Sequence, residues 1–343
     1  VAWSPVRFLA ACRLRAVDRP PVWCMRQAGR ILPEYRTARN SLSLNDLYND
    51  AALCGRLGAL PVERFGFDAA PVLTDLRLPL VSMGLVPALT EPDGDRPAGR
   101  PAEPAGPLRL RWPTDSDFGR LPETVALTVR TLAGAAPVLA QVGAPFSLAA
   151  AITDPASPSE PSRLRGLGYA DGAAWAELAE VTTAVAVRSA QLQVEAGAQA
   201  VHVYDTWAGR LDEGDYRRFV LPWSRQLFEA VAALGVPSIH FALGATHLLE
   251  AMAEAGGDVI GIDWRVGLDE AFDRVGPGRG VQGNLDPTLL LSPLERLLGE
   301  AASALSAAGE RPGFIFSLGH GLLPSTPAGA LHALVRYVQT FYS

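Results

Sequence analysis

The sequence predicts an α/β protein, a single-domain (β/α)₈ barrel with parallel strands over residues 1–343. Eight short apolar runs mostly alternate with segments of helical periodicity, a pattern typical of parallel strands joined by helices. Eight such strands indicate a closed barrel. The alternative is a doubly wound open sheet, but no Gly-x-Gly-x-x-Gly motif follows an early strand, which argues against its dinucleotide-binding form.

The elements are assigned in chain order. An N-terminal arm (1–19) with a short helix precedes the first strand, Val22–Met25, and further strands are predicted at 67–73, 137–142, 200–204, 237–241, 258–262, 280–282 and 313–316. Helices are predicted at 45–60 with Asn45 as cap, 122–135, 173–196, 215–234 with a break at Pro222, 245–255, 292–308 and 326–342. Proline- and glycine-rich composition predicts a long loop excursion at 82–118, and residues 153–167 are predicted as a surface loop.

Composition excludes several classes of function. All 30 basic residues are arginine, which removes aldolases and pyridoxal enzymes with a lysine Schiff base as well as Walker-A nucleotide binding. A net charge of −6 gives no general field for nucleic acid or an anionic membrane, and no apolar run approaches a membrane span. The three widely spaced cysteines favour neither disulfides nor a metal site. We therefore expect a cytoplasmic protein.

Arginines are concentrated just after the first strand. Arg26 directly follows the apolar run, and Arg30, Arg36 and Arg39 come within a few helical turns, with Pro33 where a helix can start. Arginine binds carboxylates bidentately and keeps its charge. The segment therefore predicts a pocket for a substrate with several carboxylates, although a solvated basic helix face is the usual meaning of a charge run.

Other polar residues follow the predicted strands. Because barrels place their chemistry at the carboxyl ends of the strands, the candidates there, besides Arg26, Gln27 and Arg30, are Asp75, Ser147, Asp205, Thr206, Asn284 and His320. Each also has a structural explanation. Asp75 can cap a helix or pair with Arg77, Asp205 can cap the next element, and Asp263 can pair with Arg265. Spacing alone supports only a barrel enzyme with an arginine-lined anionic pocket.

The sequence resembles a known family along nearly its whole length. The similar segments are PVWCMRQAGRILPEYR (21–36), DAAPVLTDL (68–76), GAPFSL (143–148), VHVYDTWAG (201–209), IHFALGA (239–245), IGIDWR (260–265), QGNLDP (282–287) and FIFSLGHG (314–321). In this order they resemble the uroporphyrinogen decarboxylases of haem biosynthesis. The resemblance implies a single barrel, usually homodimeric, without metal or organic cofactor, that removes acetate carboxyls from uroporphyrinogen III as CO₂ to give coproporphyrinogen III.

The resemblance also implies roles for individual residues. Arg30 and Arg39, with Arg26, match arginines that bind or lie near the substrate carboxylates, and Gln27 lies beside them. Asp75 matches the aspartate that accepts hydrogen bonds from pyrrole N–H groups and stabilises positive charge on the protonated ring. Thr206 stands where the family has serine, and His320 matches a histidine that contacts a carboxylate. Asp75 and Arg26 are the expected catalytic residues, and Arg26, a water or the substrate itself can supply the proton.

Three departures leave other functions open. Ala151 replaces a family tyrosine that is hydrogen-bonded to the catalytic aspartate, Ser317 replaces an asparagine, and the family's Gly-rich stretch is absent after residue 153. The alternatives are a paralogue that decarboxylates another carboxylated heteroaromatic compound and a non-catalytic tetrapyrrole-binding homologue. A zinc-dependent corrinoid methyltransferase is disfavoured, because His240 is followed by Phe241 and Ala242 and no cysteine lies beyond Cys54.

Overall fold

A single curled sheet forms the centre of the described structure. The computed structural model describes residues 6–25, 28–89 and 109–342. Within these ranges, seven parallel strands lie in chain order: β1 (Ala70–Pro71), β2 (Val138–Gly143), β3 (Ala200–Tyr204), β4 (Ser238–Phe241), β5 (Val259–Gly261), β6 (Gly280–Leu285) and β7 (Phe314–Leu318). Neighbours in sequence pair in parallel, as in Val201 with Ser238, so the predicted α/β class with parallel strands is confirmed.

The predicted first strand is reduced to a single bridge. Val22 pairs in parallel with Phe316 of β7, and its carbonyl accepts from the N–H of Asp68 at 2.9 Å. The Val22 segment therefore lies between β7 and the chain that enters β1. It connects the two edges of the curled sheet. The prediction of a full strand at Val22–Met25 was wrong, because the extended chain pairs over too few residues to form a ladder.

Helices cover the outside of the sheet. They are α1 (Val6–Cys12), α2 (Pro33–Ser41), α3 (Leu44–Asn49), α4 (Ala51–Phe65), α5 (Leu78–Ser82), α6 (Leu121–Leu132), α7 (Pro145–Thr153), α8 (Ser162–Ala170), α9 (Gly172–Glu195), α10 (Glu213–Asp215), α11 (Leu221–Ala232), α12 (Leu249–Ala255), α13 (Leu268–Val275), α14 (Leu294–Ala308) and α15 (Ala328–Thr340). Most follow a strand and lead to the next one, as βα units require. Helix α13 is absent from the sequence-based assignment.

Capping residues account for the differences between prediction and structure in one predicted helix and one predicted loop. The predicted helix 45–60 is two helices, because the Asp50 carboxylate accepts from the N–H of Leu53 at 2.8 Å and starts α4. Ser43, not Asn45, caps α3 through a capping box with Asp46. The predicted surface loop 153–167 is correct for residues 154–161, but α8 begins at Ser162 and occupies the rest of it. Asp154, at the end of α7, accepts from the first N–H groups of α8, and sequence spacing did not reveal this remote cap.

The helix predicted at 215–234 with a break at Pro222 changes its hydrogen-bonding pattern just before that proline. A π-helical turn, Tyr216–Val220, joins α10 to α11. Proline cannot donate to the preceding turn, and the N–H of Leu221, directly before it, bonds five residues back to the carbonyl of Tyr216. Of the predicted loop excursion 82–118, residues 90–108 lie outside the described residues. The remainder holds the end of α5 and a 3₁₀ turn at Asp115–Phe118.

A buried ion network attaches the N-terminal arm to the barrel. The Asp68 carboxylate accepts from Arg7 at 2.8 Å and from Arg19 at 2.8 and 3.0 Å, and also from the N–H of Val22 at 2.8 Å. All three charged side chains are buried. A carboxylate shared by two guanidinium groups and a backbone N–H therefore fixes the arm against the chain that enters β1.

Candidate active site

The predicted site residues lie just after strand ends. Asp75 follows β1 by four residues, while Thr206 and His320 each follow their strand, β3 and β7, by two. The carboxyl ends of parallel strands open on one face of the sheet. The fold therefore places these three side chains on the side where barrel enzymes carry their sites. Arg26 and Gln27 lie outside the described residues.

Arg30 is the first arginine of the motif whose position is described. It lies in a 3₁₀ turn, Ala28–Ile31, between the Val22 bridge and α2. The half-buried guanidinium donates to the Tyr48 hydroxyl at 3.3 Å. Arg30 is thus directed back toward α3 and is not part of a solvated helix face.

Asp75 forms an ion pair with Arg77, one of the alternatives that its sequence position allowed. Its Oδ1 accepts from the backbone N–H of Arg77 at 2.9 Å and from Nε at 3.0 Å, while Oδ2 accepts from a terminal guanidinium nitrogen at 3.0 Å. Burial lowers the pKa of Arg77, but its hydrogen bonds and attraction to Asp75 outweigh this and leave that pKa raised. The Asp75 side chain is 14% exposed and that of Arg77 is 38% exposed.

Tyr48 belongs to the same cluster and was missed by sequence reasoning. It is buried among Leu44, Leu47 and Leu73, so its spacing within the predicted helix 45–60 indicated only a core residue. Burial raises the pKa of Tyr48 to about 12, the charge of Arg30 opposes this rise, and the charge of Asp75 adds to it. We name Arg30, Tyr48, Asp75 and Arg77 the Asp75 cluster.

The other two arginines of the motif have separate contacts. Arg39 is half-buried, and its guanidinium donates to the carbonyl of Leu42, just beyond the end of α2. Arg36 is exposed and donates to the carbonyl of Pro324 at 3.0 Å. Pro324 lies four residues after His320, so α2 is tied to the segment that carries the predicted histidine.

The end of β3 holds a buried carboxylate beside Thr206. Asp205 is fully buried, and its Oδ1 accepts from the Ser147 hydroxyl at 3.2 Å. Desolvation raises the pKa of Asp205 to about 7, although hydrogen bonds from Ser147 oppose the rise. Ser147 lies in the first turn of α7, so Asp205 supports that helix rather than capping the element after itself. Thr206 is half-buried.

His320 is half-buried. Gly319, the residue before it, packs closely against the backbone at Asp263 and Trp264. A Cβ on Gly319 would lie 2.8 Å from the Asp263 Cα and 2.8 Å from the Trp264 nitrogen. The N–H of Gly319 also donates to the Leu285 carbonyl at 2.8 Å. Close backbone packing therefore fixes the chain that leads into His320.

Ala151 lies buried in α7, where the family pattern has a tyrosine. Tyr169 and Tyr204 are two phenols that could compensate for Ala151, and each has a hydroxyl contact outside the Asp75 cluster. Tyr169 is 55% exposed and donates to Asp215, while the hydroxyl of buried Tyr204 donates to Gln141 at 2.6 Å. Tyr48 is the phenol that the structure does bring to the cluster. Ser317 is fully buried in β7.

Asp263, another strand-end carboxylate, forms the ion pair with Arg265 that its sequence position allowed. Asp263 pairs with Arg265 at 2.6 Å and also accepts from the N–H of Gly244 at 2.6 Å. The Asn284 amide donates to the Val266 carbonyl at 2.6 Å.

Across the described residues, no group of three or more His, Cys, Asp or Glu side chains is arranged to hold a metal ion. No described helix is both long and apolar enough to cross a membrane.

Comparison with known proteins identifies the family. The family described as uroporphyrinogen decarboxylase (URO-D) matches residues 4–341. The chain belongs to the uroporphyrinogen decarboxylase family. It is 41% identical over 341 residues to a uroporphyrinogen decarboxylase of Streptomyces coelicolor, covering 97% of this chain and 94% of that protein. A second relative, of Solibacter usitatus, is 39% identical, with 99% of both proteins covered.

A solved structure supports the fold alone. A methyltransferase from Methanosarcina mazei superposes with a TM-score of 0.80 over 99% of both chains, at 19% identity. The family match covers residues 4–341, a range that contains both the arginine-rich segment and the strand ends described above.

Proposed function

We propose that this protein is a cofactor-independent carboxy-lyase that removes the acetate carboxyls of uroporphyrinogen III as CO₂, giving coproporphyrinogen III in haem biosynthesis. The observation that carries the proposal is the Asp75 cluster, a partly exposed carboxylate beside arginines at the carboxyl end of β1. Its support is the family match over residues 4–341 and relatives about 40% identical along nearly the full length.

The chemistry needs a fixed anion and several cations. Protonating a pyrrole carbon makes the ring an electron sink, into which the acetate side chain loses CO₂. A carboxylate held beside the ring stabilises the cation as it forms, which is the role proposed for Asp75. Arg30 and Arg39, with Arg26 and Gln27, would bind substrate carboxylates, assisted by Thr206 and His320. Arg26, a water or the substrate would deliver the proton.

The test is anaerobic incubation of the purified protein with uroporphyrinogen III, followed by oxidation and separation of the products by carboxyl count. We expect coproporphyrin from the wild type and a loss of at least about 10²-fold in Asp75→Asn, because one preorganised charge is removed from the transition state. The matched control is Asp263→Asn, which removes the other strand-end carboxylate paired with the arginine two residues on. Equal activity of Asp75→Asn and wild type would overturn the role of Asp75.

One departure favours a second candidate. Ala151 leaves α7 without a phenol, which supports a paralogue that decarboxylates a different carboxylated heteroaromatic compound. A folded wild-type protein that yields no coproporphyrin would favour that paralogue. A protein that binds the porphyrinogen without turning it over would be a tetrapyrrole-binding homologue.

Homodimerisation and a cytoplasmic location are further proposals. Sedimentation measures the oligomeric state, and cell fractionation tests the location. Three buried cysteines that form no disulfide support the cytoplasmic location.

A further inference from the structure

Arg77 occupies most of the acceptor capacity of Asp75. A carboxylate offers about four lone-pair positions, and Arg77 donates to three of them: two hydrogen bonds reach Oδ1 and one reaches Oδ2. The proposed reaction requires this carboxylate to accept from pyrrole N–H groups. A substrate ring and the Arg77 side chain therefore compete for the same oxygens.

The Arg77 side chain can move away from the Asp75 carboxylate oxygens. Its side chain is 38% exposed, against 14% for Asp75, so the guanidinium lies on the solvent side of the pair. Arg77 occupies the cap position of α5, yet its side chain makes no capping hydrogen bond there. Rotating the side chain away would break two hydrogen bonds to Asp75 and leave the one from the backbone N–H.

The pair between Asp263 and Arg265 provides a comparison within the chain. There too an arginine two residues on bonds the carboxylate through its backbone N–H and guanidinium. Asp263 is only 3% exposed, however, and it also holds the N–H of Gly244, while the Arg265 guanidinium stacks over Trp264 at 4.5 Å. The Asp263 pair is therefore more deeply buried than the Asp75 pair and is held by a second backbone segment.

We propose that Arg77 is an exchangeable counter-ion: it neutralises Asp75 in the unliganded protein and passes to a substrate carboxylate when the ring binds. This inference rests on the proposed function. Arg30 lies close enough to act on the same groups, so the cluster holds two cations for one carboxylate. A polycarboxylate would supply the second anion. Substrate binding would thus release Asp75 for the ring, and Arg77 would favour substrates with a carboxylate within its reach.

The test compares Arg77→Leu, Arg77→Lys and the control Arg265→Leu in the anaerobic decarboxylation assay. We expect Arg77→Leu to raise KM at least about tenfold, because a charge-assisted hydrogen bond to substrate is lost, while kcat is kept or increased, because the Arg77 guanidinium no longer competes with the ring for the Asp75 oxygens. Arg77→Lys should recover most of the KM, and Arg265→Leu should leave KM unchanged. A fall in kcat with unchanged KM in Arg77→Leu would show a fixed structural pair and overturn the proposal.

A binding measurement separates failure of this inference from failure of the proposed function. Anaerobic equilibrium dialysis with coproporphyrinogen III reports binding without turnover. Weaker binding by Arg77→Leu than by wild type supports the exchange even when the wild type shows no decarboxylation, and equal binding by the two overturns it. A wild type that neither binds this probe nor decarboxylates uroporphyrinogen III overturns both proposals.

Discussion

Arg30 and Tyr48 are joined by a hydrogen bond from the guanidinium to the phenol oxygen, 3.3 Å long. Tyr48 is only 6% exposed and packs with Leu44 and Leu47 of the same helix, so the phenol is a rigid support. The flexible partner is the arginine. This contact fixes one end of the arginine-rich motif to α3, at the place where Asp75 and Arg77 also meet.

Removing the Tyr48 hydroxyl should therefore weaken substrate binding. We expect Tyr48→Phe to raise KM about fivefold, the value of one ordinary hydrogen bond, with a smaller change in kcat, measured in the same assay. Because the pKa of Tyr48 is raised to about 12, the phenol stays protonated at working pH. The substitution should then leave the pH profile below about pH 10 unchanged.

Tyr216→Phe is the matched control for this substitution, because Tyr216 is also buried and its hydroxyl has no hydrogen-bond partner among the described residues. It should leave KM unchanged. Repeating Tyr48→Phe in an Arg30→Gln background tests whether the phenol acts through Arg30. A further fivefold loss in that background would show that it does not.

The buried network around Asp68 should dominate the stability of the N-terminal arm. Asp68→Asn leaves Arg7 and Arg19 facing each other without the carboxylate that pairs them, and breaking a buried pair costs about 3–5 kcal/mol. We expect a corresponding fall in the free energy of unfolding, measured by urea denaturation. The control is Asp18→Asn, which also removes a partner of Arg7, but one that is 68% exposed and therefore worth at most about 1 kcal/mol. Similar losses from both variants would argue against the network.

Asp205 should make the protein less stable as the pH rises. Burial raises its pKa from the ordinary 3.8 to about 7 in the folded protein, so between these values the folded state holds a proton that the unfolded state has lost. Folding stability therefore falls as pH increases through that window, and the full destabilisation is present above pH 7. Asp205→Asn, which stays neutral, should gain stability relative to wild type on going from pH 4 to pH 8. Urea denaturation at several pH values measures this, and a constant difference between the two proteins would contradict it.

The sequence predicted the sheet better than the site. Strand β3 was predicted at its observed residues because a buried parallel strand reads as a continuous apolar run. The Val22 segment has the same composition but pairs at one residue, since strand length depends on partners far away in sequence. The same limit applies to Asp154, whose bonds to the start of α8 become visible only in three dimensions.

Within the site, sequence position predicted that Asp75 can pair with Arg77. It did not predict that this carboxylate, unlike that of Asp263, is partly exposed. Two residues of separation allow that contact, and the same spacing allows the Asp263 pair, so spacing could not show which carboxylate is accessible. Tyr48 carried no signal beyond an apolar helix face. Its role in the cluster comes from the hydrogen bond that its hydroxyl accepts from the Arg30 guanidinium, a contact between residues 18 positions apart.

The backbone at Gly319 should control the placement of His320. A methyl group there would lie 2.8 Å from the Asp263 Cα, closer than packed atoms allow, so Gly319→Ala must displace β7 or the end of β5. We expect a fall in kcat/KM of about tenfold as His320 moves, and a loss of about 1–3 kcal/mol in unfolding free energy from overpacking.

The control for Gly319→Ala is Gly299→Ala, in the exposed middle of α14, where an added methyl group meets nothing within 4 Å. There the substitution should stabilise the protein by about 0.5–1 kcal/mol, because alanine is the better helix former, and leave kcat/KM unchanged. Adding His320→Ala to Gly319→Ala identifies the cause of the lost activity. If glycine acts by placing the histidine, the double variant is no less active than His320→Ala alone. A further loss in the double variant would instead attribute the effect to the displaced end of β5.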